Sequence, residues 1–316
     1  MHISAMIKRV ARGKHGSENL GREEAASVFA ALLAPDTDEL QLGAFLIAQR
    51  MKGETSAELT GFVEAARNHT PGYNRFLAPS GAVDLPCYAG KCRAAHAYLV
   101  AAIRAREAGI PVFIHGIENI DGRVTAWQVL EKLGVKRAST LSEAVTILAN
   151  ECMVYADLAD FCPDLFRIYA LRARLGVRSF ANTVARLLNP VQCDGQLNGF
   201  FHTPYANYMA VANSLLGQPR SLIFMGAEGE PELYADRQKV IVKQQGESLQ
   251  RVSYQQAGLD TYPRQAMDLM LLKQQAADML EGKISDREAV VIERMGEAFR
   301  WASKARFPVT WNMEDE

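Results

Sequence analysis

The stretch from Val83 to His115 constrains the fold most. A short apolar run, Val83–Cys87, ends in the loop Tyr88-Ala89-Gly90-Lys91-Cys92-Arg93. Ala94 to Ala108 then reads as a helix, and Pro111-Val112-Phe113-Ile114-His115 as a second apolar strand. This is a strand, loop, helix and strand unit. Ligands of such units sit outside the carboxyl ends of the strands, which places the candidate site at Leu85–Arg93 and His115–Arg123. The loop holds one glycine, Gly90, followed by Lys91 and Arg93. A cradle of backbone N–H groups needs several glycines to approach an anion closely, so this loop offers charge without a tight glycine pocket.

Alternation continues downstream. Ala126–Leu133 reads as a helix, Thr140 caps another together with Glu143, and Cys152–Tyr155 is an apolar run. Ser221–Met225 reads as a strand, Val240–Lys243 and Arg251–Tyr254 alternate, and Ser285-Asp286-Arg287-Glu288 opens a last helix. Together these predict an α/β fold with a mainly parallel central sheet and right-handed crossovers. The first seventy residues differ. Ile3–Gly13, Glu23–Leu33 and Glu39–Met51 carry apolar residues at helical spacing, and the capping box Thr55-Ser56-Ala57-Glu58 opens a helix running to about Asn68. Pro71, Gly72, Pro79 and Gly81 then mark a linker. Leu165–Leu188 is helical and basic, and stops at Asn189-Pro190.

With 316 residues and 48% of them hydrophobic, the chain can bury a large core. The start of the chain has no apolar leader, and the longest apolar run, Ala97–Ile103, is too short to cross a bilayer. A cytoplasmic location without membrane contact is the expectation. The five cysteines are an odd set lacking C-x-x-C spacing, which argues against a disulfide framework or a zinc site.

A net charge of −1 hides an uneven distribution. Leu165–Cys193 contains no acid but holds Arg167, Arg172, Arg174, Arg178 and Arg186, and Leu85–Arg106 is likewise acid-free around Lys91, Arg93, Arg104 and Arg106. Acids gather later, at Glu228, Glu230, Glu232, Asp236 and in the tail. Such segregation predicts a basic and an acidic face.

Longer motifs carry a family resemblance. Gln41-Leu42-Gly43-Ala44-Phe45-Leu46 with Arg50, followed by Lys52-Gly53-Glu54-Thr55, resembles the amino-terminal helices of anthranilate phosphoribosyltransferase and its nucleoside-phosphorylase relatives, glycosyltransferase family 3. His115-Gly116, Val129-Leu130-Glu131-Lys132-Leu133-Gly134-Val135, and Arg172-Ala173-Arg174-Leu175-Gly176-Val177-Arg178 through Asn182 to Asn189-Pro190 extend the match in order. The resemblance implies a small helical domain, 1–72, completed by about 165–188. It also implies a large α/β domain, 76–162 and 190–316, and a homodimer built on the helical domains.

Departures fall where that family does its chemistry. Its phosphate loop reads Gly-Thr-Gly-Gly-Asp with an Asn-x-Ser-Thr after it, whereas this chain has Leu85-Pro86-Cys87-Tyr88-Ala89 and no Asn-x-Ser-Thr. Its magnesium-holding Asp-Glu pair corresponds to Pro231-Glu232, leaving Glu232 as the one metal candidate. The glycine of its Gly-Pro-Leu falls near Ala185-Arg186-Leu187, which adds a cation. The chain thus resembles a branch of the family with a degenerate substrate site, whose dimer binds nucleic acid along a basic groove.

On that reading Lys91, Arg93, Arg123, Arg172, Arg174, Arg178 and Arg186 lie in or beside the old anion site, and Lys8, Arg9, Arg12 and Lys14 extend the track. Tyr88, Gly90, His115 and Gly116 mark the degenerate substrate site, with no catalytic residue and no cofactor. The expected partner is single- or double-stranded DNA or RNA, bound without base readout, since no base-reading motif is present. A glycosyl- or phosphoribosyltransferase with altered donor or acceptor, using magnesium, is the alternative, resting on Arg172, His115-Gly116 and Glu232. A protein-binding scaffold with an acidic carboxyl-terminal face is a third. Plainer readings stand beside these. The arginines of 172–178 read also as a solvated helix face, the cations of 8–14 as the wet side of an amphipathic helix, His115 as a hydrogen-bonded core residue, and Glu228, Glu230 and Glu232 as a solvated turn.

Overall fold

The computed structural model describes residues 2–13, 15–201, 205–254, 258–303 and, for the backbone, 313–315. Lys14, one of the proposed track cations, lies outside the described residues.

Four helices form the amino-terminal layer: α1 (Ile3–Val10), α2 (Arg22–Leu33), α3 (Glu39–Lys52) and α4 (Ser56–Asn68). The capping box closes as its sequence demands, with Thr55 Oγ1 accepting the Glu58 N–H at 3.2 Å and the Glu58 carboxylate accepting the Thr55 N–H at 2.9 Å. The core of this layer is aromatic. Phe29, Phe45 and Phe62 surround Phe180, which stacks on Phe62 at 4.3 Å between ring centroids. Phe180 comes from the later basic segment.

One long helix does not form there. The segment breaks into Pro163–Ala170, Arg172–Leu175 and Ala181–Arg186, with Gly176 in the left-handed region at φ 72° ending the middle turn.

Among the described residues the α/β layer has nine strands: β1 (Val83–Cys87), β2 (Val112–Gly116), β3 (Arg137–Ala138), β4 (Met153–Asp157), β5 (Gly195–Phe200), β6 (Arg220–Met225), β7 (Ile241–Gln245), β8 (Ser248–Tyr254) and β9 (Met313–Asp315). Their order is β3-β4-β2-β1-β5-β6-β7-β8-β9. Pairings from β3 to β6 are parallel, and β7 to β9 add an antiparallel edge. Val83 pairs with Val112 and Cys87 with Gly116, so the crossover unit read from the sequence sits at the centre of the sheet. Its helix, α5 (Ala97–Glu107), starts three residues later than Ala94 because residues 91–95 are engaged in the loop described below. Parallel strands buried on both faces read as continuous apolar runs, which is why β1 and β2 were legible. Strand β5, Gly195-Gln196-Leu197-Asn198-Gly199-Phe200, carries polar and glycine residues and gives no such signal, though it is equally buried.

Candidate functional site

The carboxyl ends of β1, β2 and β6 open into the loops that hold Tyr88, Gly90, Lys91, Arg93, Arg123 and Glu232, as the crossover rule requires. The loop after β6 runs close against β5. A Cβ on Gly199 would stand 2.3 Å from the Glu230 carbonyl oxygen, and one on Gly226 would stand 1.8 Å from it. Both positions therefore need glycine, and the close approach drives Glu230 under the loop after β1.

There its carboxylate takes the place of an external anion. Glu230 Oε1 accepts the N–H of Ala89 at 3.0 Å and the N–H of Gly90, which sits at φ 64°. Glu228, in the left-handed region at φ 56°, accepts the N–H groups of Cys92 at 2.9 Å and Arg93 at 3.1 Å and the Tyr262 hydroxyl at 3.0 Å. The backbone donors of the phosphate loop are thus filled by two of the chain's own glutamates. Burial pushes the Glu230 carboxyl up from its ordinary range, against Arg186 and the two N–H groups. Burial also opposes ionisation of Glu228, but the Cys92 N–H, the Lys91 ammonium and the Arg93 N–H outweigh it and hold Glu228 below the ordinary range.

Two expectations are corrected here. Glu228, Glu230 and Glu232 are not a solvated turn: all three are buried. Lys91 does not face a ligand either. It is fully buried, ion-paired with Glu232 and hydrogen-bonded to the Ala95 carbonyl, because an ammonium enclosed in the loop needs a counter-charge.

Below the loop, Tyr88 and His115 are also enclosed. His115 Nε2 lies 3.2 Å from the Asp84 carboxylate and Nδ1 lies 2.7 Å from the Tyr88 hydroxyl. A carboxylate can only accept, so Nε2 donates to Asp84, and Nδ1 shares a second hydrogen bond with the Tyr88 hydroxyl. Gln196 Nε2 donates to the same carboxylate at 2.7 Å. His115 is therefore a hydrogen-bonded core residue. Gly116 follows it because a Cβ there would meet the Cys87 carbonyl oxygen at 2.1 Å.

Open space and unpaired charge lie next to this, in a cleft of about 330 Å³ between the helical layer and the sheet. Arg50, Arg172, Arg178 and Arg186 line it, with Glu54, Phe201 and Tyr205. Among the described residues none of these four arginines has an ion-pair partner. Burial and the neighbouring Arg172 and Arg186 depress the Arg178 guanidinium below its ordinary value, the sign of crowded like charge. A second cleft of about 700 Å³, lined by Glu118, Arg137, Asp157 and Tyr169, shares Arg172 and Gly176 with the first.

The other proposed cations are placed differently. Arg174 points away to an exposed pair with Glu39 at 3.0 Å. Arg9 is paired with Glu18 and Glu24 and Arg12 with Glu18, so among the described cations of residues 8–12 Lys8 alone is exposed without an ion pair. Arg93 and Arg123 are partly exposed at the outer side of the loop, near Glu228 at 3.5 and 3.7 Å. Arg123 also donates to the Gly90 carbonyl at 2.8 Å. Arg50, Glu54 and Phe201 were not among the sequence candidates. Arg50 and Glu54 stood in a recognisable motif, but nothing local tied them to arginines more than a hundred residues away.

Residues 4–70 match the model of the glycosyl transferase family, helical bundle domain. The chain is 33% identical over 245 residues to the Escherichia coli protein YbiB, covering 76% of this chain and 74% of that one. It is 30% identical over 258 residues to anthranilate phosphoribosyltransferase of Prochlorococcus marinus, covering 79% and 72%. The chain belongs to the anthranilate phosphoribosyltransferase-like family. The fold of that family extends over nearly all of it. The crystal structure of the Thermus thermophilus anthranilate phosphoribosyltransferase superposes with a TM-score of 0.79 at 24% identity, over 95% of this chain and 89% of that one. The Saccharomyces cerevisiae enzyme, solved in complex with PRPP and Mg, superposes at 0.76 and 14% identity, over 96% and 89%.

In this member of the anthranilate phosphoribosyltransferase-like family the groups that would meet an anion or a metal have partners within the chain. The loop donors are engaged by Glu228 and Glu230, and Glu232, the one metal candidate, is paired with Lys91. Among the described residues no three His, Cys, Asp or Glu side chains converge to hold a metal. No described helix is long and apolar enough to cross a membrane.

Proposed function

We propose that this protein binds nucleic acid through its phosphate backbone, without base readout, in the arginine-lined cleft, and that it does so as a homodimer. One observation carries the reading: the family's anion cradle is filled by internal carboxylates, while four arginines without acidic partners line the cleft beside it. Guanidinium groups at a partly open cleft are the usual source of sequence-tolerant affinity for phosphates. The dimer is supported by α3. Its Leu42, Phe45, Leu46 and Gln49 are buried, while Leu40, Ala44, Ile47 and Met51 form an apolar stripe on the opposite face, with Leu40 82% and Met51 80% exposed.

The phosphoribosyltransferase alternative keeps Arg172, which lines the cleft, while two of its supports are engaged elsewhere: His115 is hydrogen-bonded inside the core and Glu232 is paired with Lys91. Removing a set of preorganised donors costs a transferase dearly, about 3 kcal/mol of barrier for one such donor.

Fluorescence anisotropy with a labelled single strand at several salt concentrations tests the proposal. The log–log slope should be about −0.7 per phosphate contacted. Arg172→Glu with Arg178→Glu should weaken binding strongly and flatten the slope, whereas Arg174→Glu should leave both unchanged. Salt-insensitive binding, or affinity intact in the double variant, would mean a merely solvated arginine face. Calorimetric binding of phosphoribosyl pyrophosphate with magnesium would restore the enzyme reading.

A further inference from the structure

Arg186 is the least ordinary cation of the cleft. It is only 9% exposed, and two of its nitrogens are fixed: Nε donates to the Gly199 carbonyl at 3.0 Å and Nη2 to the Gly229 carbonyl at 3.0 Å. Its guanidinium stands over the Tyr88 ring, 5.6 Å from the centroid. The remaining nitrogen, Nη1, is buried and has no hydrogen-bond partner among the described residues. A buried cationic donor left unmatched costs several kcal/mol unless something supplies the acceptor. The carbonyls and the ring hold the guanidinium plane, so Nη1 cannot turn away to find one.

The acids around it do not fill the vacancy. Glu230 acts on it electrostatically, but Oε1 is held by the Ala89 and Gly90 N–H groups, and Oε2, which has no hydrogen-bond partner among the described residues, does not bond Nη1. Glu54, the other acid of the cleft, bonds the Tyr205 hydroxyl at 3.3 Å. On the open side stand Arg178, Arg172 and Arg50, together with the hydroxyls of Ser179 and Thr183 and the amide of Asn182. A small, multiply charged oxyanion answers all of these at once.

We infer that Arg186 and Arg178 form a seat for one phosphoryl group at the floor of the cleft, with Arg172 and Arg50 closing it. This rests on the nucleic-acid reading and deepens it, since it assigns one phosphate a fixed, enclosed position where the outer contacts are diffuse. Arginine suits the task because its fork holds two carbonyls and still presents a donor, which a lysine cannot do. The phosphoryl group has three sources: a strand terminus, an internal phosphodiester, or a free phosphate.

The test uses the full chain and two probes. Inorganic pyrophosphate, at ionic strength matched with chloride, should raise the thermal midpoint and displace a labelled oligonucleotide better than chloride alone. Arg178→Gln should weaken pyrophosphate binding about tenfold, the loss of one charge-assisted hydrogen bond. Arg186→Lys and Arg186→Gln should do at least as much, and where circular dichroism shows either to be misfolded, Arg178→Gln carries the test. Tighter binding of a terminally phosphorylated oligonucleotide than of its hydroxyl form assigns the seat to strand ends; equal binding assigns it to internal phosphodiesters. Pyrophosphate no better than chloride, with both positions silent to substitution, overturns the seat. A wild-type protein that binds pyrophosphate but no oligonucleotide overturns the nucleic-acid reading and leaves the seat standing.

Discussion

The carboxylate of Glu230 accepts the backbone N–H of Ala89 at 3.0 Å, across 141 residues of sequence. Together with Glu228 it makes the loop after β1 complete without a ligand. In this protein the backbone donors that would face an anion are therefore structural, and the arginines of the cleft lie beside the loop.

Glu230→Ala should destabilise the fold by about 3 kcal/mol, because it leaves buried donors without an acceptor. Glu230→Gln keeps an acceptor oxygen and should cost clearly less. Urea unfolding of the two variants measures the difference, and equal small losses in both would show that the loop does not depend on this contact.

Lys91→Met strands the buried Glu232 carboxylate and should cost about 3–5 kcal/mol, whereas replacing Lys91 and Glu232 together by apolar residues should restore much of it. A double-mutant cycle reads this directly. Lys91 is enclosed, so a well-folded double variant should keep the salt dependence of nucleic-acid binding; a changed slope would return Lys91 to the surface.

Burial pushes the Glu54 carboxyl from 4.5 up to about 7. The unfolded chain releases this proton near 4.5 and the folded chain only near 7, so the folded state binds more protons between them. Stability from this group is full below about 4.5 and falls as pH rises to about 7, by a total of about 3 kcal/mol. Glu54→Gln should flatten the stability profile over that window. An unchanged profile would place Glu54 in contact with water.

Met51→Glu puts a charge on the exposed stripe of α3. Light scattering should show a dimer for the wild type and a monomer for the variant, with the monomer still folded. A monomeric wild type would leave the stripe without its proposed cover.

Local pattern was enough for the elements whose cause is local. The apolar runs of β1 and β2, the capping boxes at Thr55 and Ser285 and the Thr140 cap lie where spacing and side-chain chemistry put them, whereas the helix expected to stop at Asn189-Pro190 already ends at Arg186. The crevice at the strand ends also lies where the pattern put it. Other elements escaped, β5 for want of an apolar pattern and β3 for its two-residue length.

Sequence by itself determined the layers, the crossover unit and a crowd of arginines near the crevice. Only the tertiary structure decided which charges are free. Arg174 and Arg178 stand one helical turn apart in sequence, yet one reaches out to Glu39 and the other lines the cleft, because Gly176 turns the chain between them. Lys91 and Arg93 look alike in a loop, yet a glutamate 141 residues away encloses the first. Helices and strands follow from periodicity along the chain, whereas the partner of a loop side chain is set by whatever distant segment the fold brings beside it.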